Sequence, residues 1–154
     1  MEMPKPSAEI QTLSELFQGT WRGSETLHPS PWDPAGGPGF GTWVVHPSLD
    51  GFYLLVDYTE ERGGKVVYRG HGVHGWEARE GRYLEYWFDN IGVTPRSPNV
   101  ATLEGNVYRY FSESPGGTNR FTYVFEGDTL RFSIEVAAAD GGWKPMHEGA
   151  YTRA

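Results

Sequence analysis

The side chains that could act as acids, bases or metal ligands are dispersed along the chain, and the histidines are the first to consider. Two of the five, His71 and His74, form a His-x-x-His motif in GHGVHGW. This spacing brings two ligands together on a helix, but in a strand it points the two side chains to opposite faces. His28 and His46 each precede a proline, near predicted strand ends where solvent exposure is expected. We therefore predict no metal site.

A carboxylate and an imidazole form a second candidate pair, whose geometry depends on strand register. Asp57, in LLVDY, and His71 lie in two segments joined by the turn Gly63-Gly64. A strict two-residue turn pairs Val56 with His71, whereas a one-residue bulge beside the turn brings Asp57 and His71 to one face. The pair could then act as general base and orienting group, or its members could only satisfy each other in a polar cavity.

The composition excludes several other kinds of chemistry. The chain has no cysteine, which excludes disulfides, thiolate catalysis and sulfur-ligated metals. Its net charge of -7 argues against nucleic-acid binding, which needs a basic surface. No nucleophile elbow, P-loop or dinucleotide fingerprint occurs. Because the first residues lack the features of a secretory signal and no apolar run approaches the ~20 residues of a membrane span, we predict a cytoplasmic protein without a membrane partner.

The candidate residues must be positioned mainly by strands. Aromatic residues make up 15% of the chain and are interspersed with 21 glycines, a pattern typical of antiparallel sheets. One helix is predicted, capped by Ser7, with apolar side chains at Ile10, Leu13 and Phe17, and it ends at Gly19. Strands are predicted near residues 20–28, 40–46, 51–60, 65–76, 82–89, 99–105, 107–112, 118–126, 129–137 and 143–153.

Ten short strands in sequence predict an all-β fold. So many consecutive strands curl, and closure removes the exposed edges of the sheet. We therefore predict a single up-and-down antiparallel β-barrel domain over residues 1–154, in which the helix closes one end. Residues 1–6 are expected to form a flexible N-terminal tail.

The first and last predicted strands carry residues that could lock the barrel. Residues two apart in a strand share a face, so Trp21 and Glu25 point one way in the first strand. In the last strand, His147, Tyr151 and Arg153 also point together. If the two strands pair, the guanidinium of Arg153 covers the indole of Trp21, a contact worth ~0.5–2 kcal/mol. The other three side chains then face the interior, where they either pack and hydrogen-bond at the base of the barrel or contact a ligand.

Five sequence blocks in order resemble a known family. The resemblance to the bacterial domain-of-unknown-function family 1579 is carried by LFQGTWRGSETLHPSPWDPAGG, LDGFYLLVDY, GHGVHGW, YLEYWFDNIG and HEGAYTR, from about Leu13 to Arg153. This family is similar to the calycins, the lipocalin-like and fatty-acid-binding-like barrels, which implies the same fold but no established activity. The opening Gly-x-Trp-x-Gly also resembles that of nitrobindin, a haem-binding barrel, and this resemblance implies His147 as a candidate haem ligand.

Two further aromatic positions could contact a ligand. The loop HPSPWDPAGGPG, from His28 to Gly39, cannot form a helical lid because of its prolines. Trp32 in this loop is expected to bury its ring in the barrel mouth as a gate, or else to pack on the outer wall or in a dimer contact. In the strand at 82–89, Tyr86 and Trp87 lie on opposite faces, and either could touch a bound molecule.

The sequence favours a non-enzymatic barrel that binds a small, mainly apolar molecule in its interior, without a cofactor. The residues predicted to contact the molecule are Glu25, Trp32, Asp57, His71, Tyr86, Trp87, His147 and Tyr151. One alternative is haem binding through His147. Another is an isomerase or cyclase that uses Asp57 and His71, or Glu25, as acid–base groups. An interior filled by its own aromatic side chains and a homodimer formed through the barrel exterior are also open.

Overall fold

The strands of the protein close into a single antiparallel cylinder. The computed structural model describes all 154 residues. The sheet order is β1-β10-β9-β8-β7-β6-β5-β4-β3-β2, with β2 returning to β1. The elements in chain order are α1 (Ala8–Phe17), β1 (Gly19–Leu27), β2 (Gly37–Ser48), β3 (Tyr53–Arg62), β4 (Lys65–Glu77), β5 (Arg82–Asp89), β6 (Asn99–Glu104), β7 (Val107–Ser114), β8 (Gly117–Glu126), β9 (Thr129–Ala137) and β10 (Trp143–Arg153).

The predicted ten-strand barrel is confirmed, and the largest boundary difference has a simple cause. β2 begins at Gly37, three residues earlier than predicted, because Gly37 and Pro38 continue the ladder opposite Leu27 and Thr26 of β1. An antiparallel ladder tolerates proline where its missing N–H would not pair with the neighbouring strand. The proline-rich loop is therefore shorter than the sequence suggests, and it covers residues 28–36.

The seam between β1 and β10 forms as predicted. Trp21 and Arg153 are direct partners in the ladder, and the guanidinium carbon lies 4.2 Å from the centroid of the Trp21 ring. The Trp21 Nε1 donates a hydrogen bond of 2.8 Å to the Phe17 carbonyl. Arg153 also donates to the carbonyl oxygens of Gln18 and Leu16. The same two side chains thus fasten the barrel seam and the end of α1.

Helix α1 closes one end of the barrel. The Ser7 hydroxyl caps the helix by accepting a hydrogen bond from the Ile10 N–H at 3.2 Å, as the preference for serine at this position predicts. Ile10, Leu13 and Phe17 are fully buried in the core. The Phe17 ring lies 5.1 Å from the ring centroid of Phe125, so this half of the interior is solidly filled. No helix in the structure has both the length and the apolar character that a bilayer crossing requires.

The β3–β4 turn settles the register of the predicted Asp57–His71 pair. Gly63 and Gly64 both have positive φ, at 57° and 79°, which suits a two-residue hairpin turn. A register shift between Glu60 and Glu61 acts as the expected bulge and places Asp57 directly opposite His71. The His71 Nδ1 lies 2.8 Å from the Asp57 Oδ1. The pair therefore forms, but both side chains are exposed on the outer wall, so the prediction that they could share a polar cavity is wrong.

Candidate functional site

The half of the barrel remote from α1 contains a cavity of about 1120 Å³. It opens between the β1–β2 loop, residues 28–36, and the β5–β6 loop, residues 90–98. This volume exceeds the few hundred Å³ that suffice for a small ligand. Most of its inner wall is aromatic, and the lining rings are Trp43, Tyr58, Tyr68, Trp87, Tyr110, Phe121, Tyr123 and Phe132. The aromatic side chains thus fill one half of the interior and line the other.

A buried carboxylate organises the polar part of this cavity. Glu25 is only 3% exposed, and its Oε2 accepts hydrogen bonds from the Tyr151 hydroxyl at 2.5 Å, the Tyr58 hydroxyl at 2.6 Å and the His147 Nε2 at 3.0 Å. Glu60 lies beyond His147, with its Oε1 4.0 Å from the His147 Nδ1. We call these five residues the Glu25 cluster. Charge-assisted hydrogen bonds of this kind stabilise a carboxylate away from water.

Two glycines make room for the cluster. A Cβ atom added to Gly41 in β2 would lie 2.4 Å from the Glu25 Oε2, and one added to Gly149 in β10 would lie 2.0 Å from the Tyr151 hydroxyl oxygen. Both glycines belong to the strands that flank β1. The absence of side chains at these positions lets the Tyr151 ring lie against the barrel wall with its hydroxyl at Glu25. The glycine of the HEGAYTR block therefore shapes the site directly.

The electrostatics of the cluster fix the direction of its hydrogen bonds. Burial raises the pKa of both the Tyr58 and the Tyr151 hydroxyl, and the neighbouring Glu25 carboxylate raises each pKa further. Both phenols consequently stay protonated and act as donors to Glu25. Burial also raises the pKa of Glu60, against the opposing influence of His147.

Glu60 links the cluster to the cavity mouth. Its Oε2 accepts a hydrogen bond from the Arg62 Nε at 3.3 Å. The same guanidinium contacts the Asp33 carboxylate in the β1–β2 loop at 2.6 Å. This loop is also held by reciprocal backbone hydrogen bonds between Ser30 and Asp33, of 2.9 and 3.1 Å. A chain of charged contacts thus runs from the base of the cavity to its rim.

The ligand donor atoms of Glu25, Glu60 and His147 lie within 4.8 Å of one another. Carboxylate and imidazole groups are suitable ligands for several divalent metals. In this arrangement the Glu25 Oε2 already accepts three hydrogen bonds, whereas the Glu25 Oε1 is buried and accepts none. These three residues are the group of acidic and histidine side chains whose spacing could hold a metal ion.

The fit of haem to His147 can be tested on the same geometry. Haem ligation needs an imidazole nitrogen that is free to point into the cavity. The His147 Nε2 is 3.0 Å from Glu25 and the Nδ1 is 4.0 Å from Glu60, and the side chain is only 9% exposed. Both nitrogens face carboxylates. The residues therefore do not fit a haem ligated by His147 in this arrangement.

A second buried polar group lies deeper in the barrel. His74 and Glu85 are direct partners between β4 and β5, and both are fully buried. The His74 Nδ1 is 2.8 Å from the Tyr108 hydroxyl, and the Glu85 Oε2 accepts from the Asn99 Nδ2 at 2.8 Å. Burial lowers the pKa of His74 to about 3 and raises the pKa of Glu85 to about 7. His74 is therefore held in its neutral form, and Glu85 stays protonated up to about pH 7.

The eight predicted ligand-contacting residues divide into three groups. Glu25, Trp87, His147 and Tyr151 face the interior, in the wall or at the base of the cavity. Asp57, His71 and Tyr86 lie on the outer wall and do not border the cavity. Trp32 lies at the rim.

The prediction that Trp32 buries its ring as a gate is wrong. The side chain is 80% exposed. The hydrogen bonds between Ser30 and Asp33, together with the contact from Asp33 to Arg62, hold the loop in a tight turn, and Trp32 projects from its tip into solvent. The mouth is therefore not stoppered by this ring.

Four interior polar residues were not predicted as site residues: Tyr58, Glu60, His74 and Glu85. Period-2 alternation could have found the first two, since Leu54, Val56, Tyr58 and Glu60 share the buried face of β3. The pairing of His74 with Glu85 follows from the register between β4 and β5, which the turn residues alone do not fix.

Comparison with known proteins agrees with this architecture. The family model described as a protein of unknown function, DUF1579, matches residues 5–153. The structure is similar to the crystal structure of Rv2717c from M. tuberculosis, with a TM-score of 0.71. The two chains are 16% identical in sequence, and the similarity covers 97% of this chain and 99% of that one. At this identity the similarity concerns the fold alone. None of the curated proteins matches the chain.

Proposed function

The chain belongs to the DUF1579 family, which is described only as a protein of unknown function, and we propose that it binds a small, mainly apolar molecule inside its barrel. The observation that carries this proposal is the cavity of about 1120 Å³, which is lined by aromatic rings and has the buried Glu25 cluster at its base. Apolar walls with a few convergent polar groups are the usual composition of a small-molecule site. The apolar part of the ligand would lie along the rings, and a polar group would reach Glu60 and His147.

The experiment is titration with a neutral apolar dye, N-phenyl-1-naphthylamine, whose emission rises in an apolar environment. We expect saturable binding of one dye molecule per chain. Ser112 lines the cavity, so a Ser112→Trp variant places an indole in the ligand volume and should abolish the emission change. Ser24 is exposed on the outer wall, and Ser24→Trp is the matched control that should bind the dye like the unmodified protein. Equal binding by both variants would place the dye elsewhere and contradict the proposal.

Haem binding is the less favoured alternative, because the nitrogens of His147 face Glu25 and Glu60. We expect haemin to produce no Soret band that depends on His147. A Soret band that appears with the unmodified protein and is lost in His147→Ala would instead support haem binding. An isomerase or cyclase that uses Asp57 and His71 is also less favoured, since this pair lies outside the cavity. A cytoplasmic location, the absence of nucleic-acid and membrane partners and the formation of a homodimer remain predictions from the sequence.

A further inference from the structure

We propose that the polar end of the ligand is a protonated amine, which binds at the Glu60 carboxylate among the aromatic rings of the cavity. This inference rests on the proposed function and names the chemical class of the ligand. It begins from the bonding of Glu60, which is only 7% exposed and borders the cavity. The Arg62 hydrogen bond goes to the Glu60 Oε2, and the His147 Nδ1 lies 4.0 Å from the Oε1, beyond hydrogen-bond distance. The Glu60 Oε1 is therefore available to accept a hydrogen bond from a ligand in the cavity.

The charges around the cavity select the same kind of ligand. Four acidic residues border it, Asp33, Glu60, Asp89 and Glu113, against two arginines, Arg62 and Arg96, and two histidines, His28 and His147. Glu25 adds a further carboxylate behind the wall. Arg62 is paired with Asp33 and Glu60, and Arg96 is exposed at the rim. A carboxylate ligand would therefore meet acidic groups and no unpaired cation at the base, whereas an ammonium group would meet a complementary charge.

Several aromatic rings line the cavity close to Glu60. The Tyr58 ring centroid lies 4.4 Å from that of Trp43, 5.9 Å from that of Tyr68 and 6.5 Å from that of Trp87. The polar atoms of three of these rings are occupied: the Trp87 Nε1 donates to the Tyr68 hydroxyl, this hydroxyl donates to Asp89, and the Tyr58 hydroxyl donates to Glu25. The Trp43 Nε1 is buried without a partner. The π faces of such rings attract cations, and aromatic clusters are a known mode of ammonium recognition.

The test compares three molecules with the same ten-carbon chain: decylamine, decanol and decanoate, each measured by displacement of the neutral dye at pH 7. We expect decylamine to bind about tenfold or more tightly than decanol, and decanoate to bind most weakly. If decanoate binds as tightly as decylamine, the inference is wrong although the proposed function stands. If none of the three molecules displaces the dye and the dye itself does not bind, the proposed function fails as well.

A pair of neighbouring glutamates supplies the matched variants. Glu60→Gln removes the carboxylate in the cavity, and Glu61→Gln makes the same change one residue along β3, outside the residues that border the cavity. We expect Glu60→Gln to weaken decylamine binding by about tenfold or more and to affect decanol binding much less, because the alcohol carries no charge. A circular dichroism spectrum like that of the unmodified protein reports that the variant is folded. Glu61→Gln should leave both affinities unchanged. A decylamine affinity that is equal in the unmodified protein and Glu60→Gln would overturn the inference.

Discussion

The guanidinium of Arg153 lies over the indole of Trp21, 4.2 Å from the ring centroid, at the point where the last strand of the barrel pairs with the first. Arg153 also donates hydrogen bonds to the carbonyl oxygens of Gln18 and Leu16 at the end of α1. A single side chain of the last strand therefore joins β10 to the first strand and to the end of α1, at the opposite end of the chain. The closed interior, and with it the candidate site, depends on this junction.

Replacement of Arg153 should destabilise the protein. We expect Arg153→Ala to lower the free energy of unfolding by about 2 kcal/mol, because the variant loses the cation–π contact and the hydrogen bonds to the helix end. Arg153→Lys should recover part of the loss, since it restores the charge without the planar guanidinium. The measurement is equilibrium unfolding in urea. As a control, Arg131→Ala removes an exposed ion pair with Glu126 and should change the free energy of unfolding by less than about 0.5 kcal/mol. If the two alanine variants were equally stable, the contacts of Arg153 at the seam would not stabilise the barrel.

A methyl group at Gly149 should disrupt the Glu25 cluster. Its Cβ would lie 2.0 Å from the Tyr151 hydroxyl oxygen, so the ring must move and its hydrogen bond to Glu25 is lost. We expect Gly149→Ala to lower the free energy of unfolding by about 1–3 kcal/mol and to change the aromatic circular dichroism. In the control Gly116→Ala the nearest atom to the new Cβ is the Ser114 Oγ at 3.8 Å, and stability should be nearly unchanged. An unaltered aromatic spectrum in Gly149→Ala would contradict this account.

His74 and Glu85 should affect the pH dependence of stability in opposite directions. Burial lowers the pKa of His74 from 6.5 to about 3, so the unfolded chain takes up a proton that the folded protein excludes. Stability is lost through this group as the pH falls from about 6.5 towards 3, by at most about 1.4 kcal/mol per pH unit. Burial raises the pKa of Glu85 from 4.5 to about 7, so stability is lost through this group as the pH rises from about 4.5 to 7.

The two effects cancel where their ranges overlap, between about pH 4.5 and 6.5. In a His74→Gln variant the Glu85 effect remains alone, so its stability should increase on acidification through that range while that of the unmodified protein does not. Urea unfolding at several pH values measures this difference in slope, even if the variant is less stable throughout. His46→Gln replaces an exposed histidine and is expected to give a profile parallel to that of the unmodified protein. A parallel profile for His74→Gln would be evidence against the buried neutral imidazole.

Ligand binding should change the emission of tryptophans in the cavity wall and not that of the tryptophan at the rim. Trp87 lies in the wall of the cavity, whereas Trp32 lies at its rim and is 80% exposed. We expect the emission shift caused by decanol to persist in Trp32→Phe and to be reduced in Trp87→Phe, in which Trp43 still responds. The measurement is the emission maximum as a function of decanol concentration. Loss of the shift in Trp32→Phe would mean that the rim loop folds over the ligand after all.

The fold was predictable because its signals are local and repeated. Glycine turns and period-2 alternation located all ten strands, and the Gly-x-Trp opening with a terminal arginine identified the pair at the seam. Once β1 and β10 were paired, the strand period placed Glu25, His147 and Tyr151 on one inner face, and the structure brings all three together.

The pairing between strands depends on register, which the sequence does not fix by itself. A bulge between Glu60 and Glu61 pairs Asp57 with His71, and the alternation of β3 places this pair on the outer wall and Tyr58 and Glu60 inside. The sequence favoured Asp57 and His71 as site residues. In β3, however, the residues that border the cavity are Tyr58 and Glu60. The Trp32 prediction failed for another reason, since backbone hydrogen bonds within the loop decide where its tip points.

The plug formed by α1 has a consequence for exchange of any occupant. Because the barrel is closed at the α1 end, a bound molecule must leave through the opening by which it entered. An incoming molecule cannot displace it from the closed end. Turnover of occupants would be sequential, with a residence time governed by the segments at 28–36 and 90–98 that frame the opening.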